Sequence, residues 1–93
     1  MYSRMHRKEV KKMNKNLLRS IMALHGDNDT TLAEYLLISR SRFSAKINET
    51  GGAEFNKGEI TKIKQKYHLT AEQVDEIFFS QKYLDKILLE RNR

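Results

Sequence analysis

Residues 32–48 read LAEYLLISRSRFSAKIN, two short apolar patterns that meet at Leu37-Ile38 with neither glycine nor proline between them. Leu32, Ala33 and Leu36 share one face of a helix, and Phe43 and Ile47, four residues apart, share one face of the next. Ser39 stands where a third-helix N-cap is needed. Thr31, followed three residues later by Glu34, makes a capping box that predicts a second helix opening at Thr31. Two helices of about two turns with almost no linker can only fold back sharply on one another.

The surroundings are helical too. The chain has 93 residues, no proline, no cysteine and only four glycines. That is enough for one core and too little for two. Val10, Met13, Leu17, Ile21 and Leu24 recur at spacings of three and four, which predicts a first helix that Gly26 ends. Residues 48–53 form a loop by composition, after which Asn56 and Glu59 make a second capping box with Phe55 stapling the helix start. Ile60, Ile63 and Tyr67 mark that fourth helix's buried face. Thr70 and Gln73 repeat the box and open a fifth helix with Val74, Ile77 and Phe78 inward. The expected organisation is a basic N-terminal extension over 1–12, a folded domain over 13–80 and an amphipathic C-terminal tail over 81–93. In the tail, Tyr83, Leu84, Ile87 and Leu88 make an apolar stripe that either packs on its own domain or covers a partner such as a second copy.

Charge is distributed unevenly. The formal net charge is +6, and residues 1–20 carry Arg4, Arg7, Lys8, Lys11, Lys12, Lys15 and Arg19 against Glu9, which accounts for all of it (7 − 1 = 6). That cluster reads either as a solvated leader or as a phosphate-contacting segment. With 39% hydrophobic residues and no apolar run of membrane length, a cytoplasmic protein is expected, without a membrane partner.

A wheel drawn on the third helix places Ser41, Ser44, Ala45 and Asn48 opposite Phe43. An exposed face selected for solubility alone would carry glutamate and lysine; small residues let a helix approach another surface closely. Arg40 lies near the helix start, with Arg42 and Lys46 along one flank. A major groove accepts one α-helix, arginine bonds bidentately to guanine and asparagine to adenine. Helix N-termini at Thr31 and Ser39 would add backbone N–H groups suited to phosphate.

Leu32-Ala33, Leu36, Ile38-Ser39-Arg40-Ser41 and Phe43 resemble the helix-turn-helix of lambda-type phage repressors and Cro proteins. The continuation through FSAKIN, EFNKGEITKI and LTAEQVDEIFF is similar to the small Cro-like regulators of Gram-positive phages and prophages, over roughly residues 14–79. The resemblance implies an all-α, five-helix lambda-repressor-like domain that binds double-stranded DNA as a homodimer, with helices two and three as its helix-turn-helix. Carried onto this sequence, base-contacting places fall on Arg40, Ser41, Ser44 and Ala45, with Asn48 at the helix end, and backbone-contacting places on Thr30 and Thr31. Ser39, Arg42, Lys46 and Lys57 are added to the backbone set from charge and position. Two positions depart from the family. Leu37 replaces the glycine usual at the corner, so the expectation is either a corner without a left-handed residue or strain offset by burial of the leucine. Lys46 replaces a residue that is often apolar, the inward role passing to Ile47.

Catalysis finds little material. His6, His25 and His68 lack ligand spacing, Gly51-Gly52 is too short for a phosphate loop, and Glu72, Asp75 and Glu76 complement a helix dipole. The expectation is a non-enzyme with no cofactor, metal or small-molecule substrate. The alternative to a DNA-binding regulator is a helix-turn-helix module that binds another protein, as an antitoxin or adaptor does.

Overall fold

The computed structural model describes residues 12–80 and Leu88. It is all-α: among these residues there are five α-helices and no strand. They are α1 (Lys15–Leu24), α2 (Asp29–Leu36), α3 (Arg40–Ile47), α4 (Lys57–Tyr67) and α5 (Ala71–Phe78), with a 3₁₀ turn at Thr50–Gly52. No helix among the described residues is long and apolar enough to cross a membrane. The extension expected before Lys12 and the tail stripe at Tyr83, Leu84 and Ile87 lie outside the described residues; Leu88 is exposed.

Local side-chain chemistry sets the helix starts. Ser39 Oγ accepts the Arg42 N–H at 3.1 Å, and the boxes Asn56–Glu59 and Thr70–Gln73 are closed in both directions. The second helix starts earlier than expected. Asn28, not Thr31, is its N-cap: Asn28 Oδ1 accepts the Thr31 N–H and Thr31 Oγ1 accepts the Asn28 N–H, both at 2.9 Å. Asparagine is a stronger N-cap than threonine, so the Asn28–Thr31 pair prevails over Thr31–Glu34 and places Thr31 inside the first turn.

Helix ends follow one device. Among the described residues, α1, α2 and α4 close with paired backbone bonds around a left-handed residue. At the first, Gly26 (φ 75°) donates to Ala23 and Asp27 donates to Met22. At the second, Leu37 (φ 63°) donates to Glu34 at 3.1 Å and Ile38 to Ala33 at 3.0 Å. At the third, His68 (φ 54°) donates to Gln65 and Leu69 to Lys64. Both expectations for Leu37 are thereby corrected: the corner is left-handed, and the leucine is 82% exposed. What offsets the strain is the paired bonding and the next residue, since Ile38 packs against the core.

A left-handed leucine costs about 1–2 kcal/mol, whereas glycine adopts the conformation freely and costs roughly 0.5–1 kcal/mol of unfolded-state entropy. Leu37→Gly is therefore expected to stabilise the protein by about 0.5–1 kcal/mol in a urea melt. A loss above about 1 kcal/mol would mean that the leucine is packed after all.

The core centres on Leu18, Met22, Leu32, Phe43, Ile47, Ile63 and Ile77, all essentially inaccessible. Phe55 joins them with ring centroids 5.6 Å from Phe43 and 5.9 Å from Phe78, both edge-on. The face of α1 differs from the stripe expected of it. Leu18 and Met22 are its buried pair, Met13, Leu17 and Ile21 pack at the margin, and Leu24 is 83% exposed. Met13 precedes the helix, whose N-cap is Asn14. Apolar residues at both 17/21 and 18/22 leave the register open in sequence, and packing against α5 selects the second pair.

Polar links tie the helices together. Tyr67 Oη donates to Asp27 Oδ2 at 2.6 Å, and Lys66 Nζ lies 3.4 Å from the same oxygen and 4.7 Å from the Tyr35 ring centroid. Burial pushes the Asp27 carboxyl up, but hydrogen bonds from Tyr67 and Thr31 and the Lys66 charge outweigh it and hold it below the usual carboxylate range. The end of α4 is thus fixed to the α1–α2 connection, which in turn positions α2 under α3.

Candidate nucleic-acid interface

α2 packs directly against α3 across the corner Leu37-Ile38-Ser39. Phe43 and Ile47 anchor α3 inward, so its opposite side faces solvent by geometry. Ser41 and Ser44 are exposed there, Arg40 at the helix start and Arg42 on the flank are exposed beside them, and Ala45 is half-buried at the edge. Arg40, Ser41 and Ser44 line one open depression together with Asp29 of α2. The outer surface of α3 is therefore short-chained and neutral along its middle, with arginines at its start.

The remaining candidates are placed differently. Asn48 is the C-cap of α3; its Nδ2 donates to the Ser44 carbonyl at 3.0 Å and its Oδ1 accepts from Lys15 Nζ at 2.7 Å. A bidentate base contact through Asn48 requires both bonds to be exchanged. Ser39 Oγ is engaged in capping, as is Thr31: its N–H is bonded to Asn28 and its hydroxyl donates to Asp27 Oδ1 at 2.8 Å. The expectation of free N–H groups at Thr31 is corrected accordingly, and the start of α2 lies at Asp29 and Thr30. Thr30 is exposed, as is Lys57 at the first position of α4.

Lys46 is the main correction. It does not flank the outer face: it is 6% exposed, and its Nζ lies 2.7 and 2.8 Å from the two carboxylate oxygens of Glu59, itself 7% exposed. Glu59 Oε1 also accepts the Asn56 N–H at 2.9 Å. Lys46 follows Phe43 by three positions, so one turn of helix carries it inward beside Ile47. The inward role has not moved from 46 to 47; both positions are inside. A lysine satisfied by a carboxylate from the first turn of α4 is unavailable to phosphate.

Sequence reasoning also missed Asp29. Its carboxylate in the depression is 2.9 Å from Arg19 Nη2, which offsets its charge. An acidic residue next to a capping asparagine is the only local sign of it. The Arg19 contact joins residues ten apart on separate helices, and no short motif encodes that.

No protein-family model, curated protein or solved structure matches the chain.

Proposed function

We propose that this protein is a sequence-specific DNA-binding transcriptional regulator of the lambda-type repressor and Cro kind, acting in the cytoplasm. It binds a pseudo-palindromic operator as a homodimer, with α2 and α3 as the helix-turn-helix and α3 in the major groove. The observation that carries the reading is the outer face of α3. Ser41 and Ser44 are exposed and short, Arg40 and Arg42 are exposed beside them, and the side chains that would obstruct approach are turned inward. Arg40, Ser41, Ser44 and Ala45 read bases; Thr30, Arg42 and Lys57 contact the backbone. Asn48 joins them on exchanging its bonds to Lys15 and to the Ser44 carbonyl. Lys46 serves to position α3 rather than to contact DNA.

Fluorescence anisotropy against the promoter DNA adjoining the gene and against a shuffled duplex, repeated across salt, tests this. Two chains per duplex, tight binding to the promoter alone and a steep salt dependence are expected. Equal, weak binding to both duplexes would sink the operator reading and favour a protein partner.

A further inference from the structure

The depression on the outer side of α3 holds one group that the operator reading leaves unexplained. Arg40, Ser41 and Ser44 line it together with Asp29, the first residue of α2. Asp29 directly precedes Thr30, assigned above to the DNA backbone, so a phosphate at Thr30 comes close to a carboxylate. Like charges facing each other across an interface oppose association.

The carboxylate is compensated from a third helix. Arg19 of α1 places Nη2 2.9 Å from Asp29 Oδ2, the two residues lying ten apart in sequence. The arginine side chain is 40% exposed and the aspartate 24%. A pair this open to water contributes little to stability; its effect is on position. Leu18 and Met22, before and after Arg19 on α1, are buried in the core, so the arginine leaves a fixed helix. Asp29 then holds the guanidinium at the edge of the depression. A guanidinium carries N–H donors on more than one edge of its plane, so it can bond a carboxylate with one edge and a phosphate with another. An ammonium group has no such fixed fork. Among the described residues, Asp29 is the one polar partner of the Arg19 guanidinium.

We infer that Arg19 contacts a phosphate of the operator backbone beside α3 and that Asp29 is the residue that positions it, an inference that rests on the operator reading above. Arg19 offsets the repulsion between the Asp29 carboxylate and that phosphate, and the same guanidinium supplies donors to the phosphate oxygens. The contact is to the backbone, so it adds affinity without sequence preference. The consequence runs against simple charge counting. Removing an acid from a face that meets a polyanion weakens binding here, because the guanidinium loses its fixed direction.

The test uses the full chain carrying Arg19→Gln, Arg19→Lys, Asp29→Ala, or Arg19→Gln and Asp29→Ala together. Each is titrated by anisotropy on the promoter and shuffled duplexes across salt, with urea melts on the same samples. Each phosphate contact contributes about 0.9 to the slope of log affinity against log salt. Arg19→Gln is expected to make the slope shallower by about 0.9 per bound chain with the ratio of promoter to shuffled affinity retained, and Arg19→Lys, which keeps the charge, to restore the slope. Asp29→Ala is expected to weaken promoter binding about three- to tenfold in the unsubstituted protein, and to leave it unchanged or tighter once Arg19 is glutamine. A merely structural pair would move the urea midpoint, leave the salt slope alone and give Asp29→Ala the same effect in both backgrounds. A slope unaltered by Arg19→Gln, or tighter promoter binding on Asp29→Ala in the unsubstituted protein, overturns the inference while leaving operator recognition standing. Absence of promoter preference in the unsubstituted protein overturns the operator reading itself, and this inference with it.

Discussion

Ser44→Glu is expected to lower operator affinity by about 100-fold or more while changing the free energy of unfolding by less than about 0.5 kcal/mol. Ser44 is exposed on the side of α3 away from Phe43, so the substitution displaces nothing from the core. It places a carboxylate in the depression shared with Arg40, Ser41 and Asp29, where the proposed partner is a polyanion. Like charges set against each other across an interface cost several kcal/mol, and each 1.4 kcal/mol is a factor of about ten. Gln65→Glu is the control, because it makes the same change of one charge at an exposed position on α4. Anisotropy titrations of both variants against the promoter duplex, with urea melts on the same samples, separate the outcomes. An unchanged affinity for Ser44→Glu removes this face from the interface. Equal losses in both variants would show that only net charge matters, which is the behaviour of non-specific binding.

What sequence made visible is the part of the structure that is local. Ser39, Asn56 and Thr70 cap helices because a short polar side chain bonds a backbone N–H three residues ahead. That distance is built into the chain. The same logic failed at α2 because Asn28, Thr31 and Glu34 offer two overlapping pairs, and only relative cap strength decides between them. The left-handed ends at Leu37 and His68 were illegible for a different reason. Glycine is the usual signal for such a turn, and here burial of the following Ile38 and Leu69 supplies what glycine otherwise would. The outward face of α3 was legible from Phe43 and Ile47 alone, so Ser41 and Ser44 stand where the wheel put them. Lys46 was misjudged, and the bond that holds Asn48 went unseen, because their partners, Glu59 and Lys15, are 13 and 33 positions away in sequence. A wheel fixes the angle at which a side chain leaves its helix. It does not report what waits at that angle.

Lys46→Met is expected to destabilise the protein by about 3–5 kcal/mol, a large share of the roughly 5–15 kcal/mol typical of a small domain. The lysine and glutamate side chains are only 8% and 9% exposed, so removing the ammonium leaves the Glu59 carboxylate without its counter-charge and largely out of water. Methionine keeps the length and flexibility of the lysine stem, so packing loss is a minor part of the effect. The double variant Lys46→Met/Glu59→Gln tests the cause. Glutamine retains the capping-box bond to the Asn56 N–H but carries no charge, and replacing a whole buried pair by neutral groups is often close to neutral. Urea melts of both single variants and the double are expected to show the double recovering most of the loss, with a coupling energy of about 2–3 kcal/mol or more between the sites. If the double falls by the sum of the two single losses, the contact is incidental and α3 is held by Phe43 and Ile47 alone. If coupling is found, the pair joins the last turn of α3 to the first turn of α4 and sets the rotation of α3 about its own axis. Ser44 then faces outward because Lys46, two residues later on the same helix, is held inward.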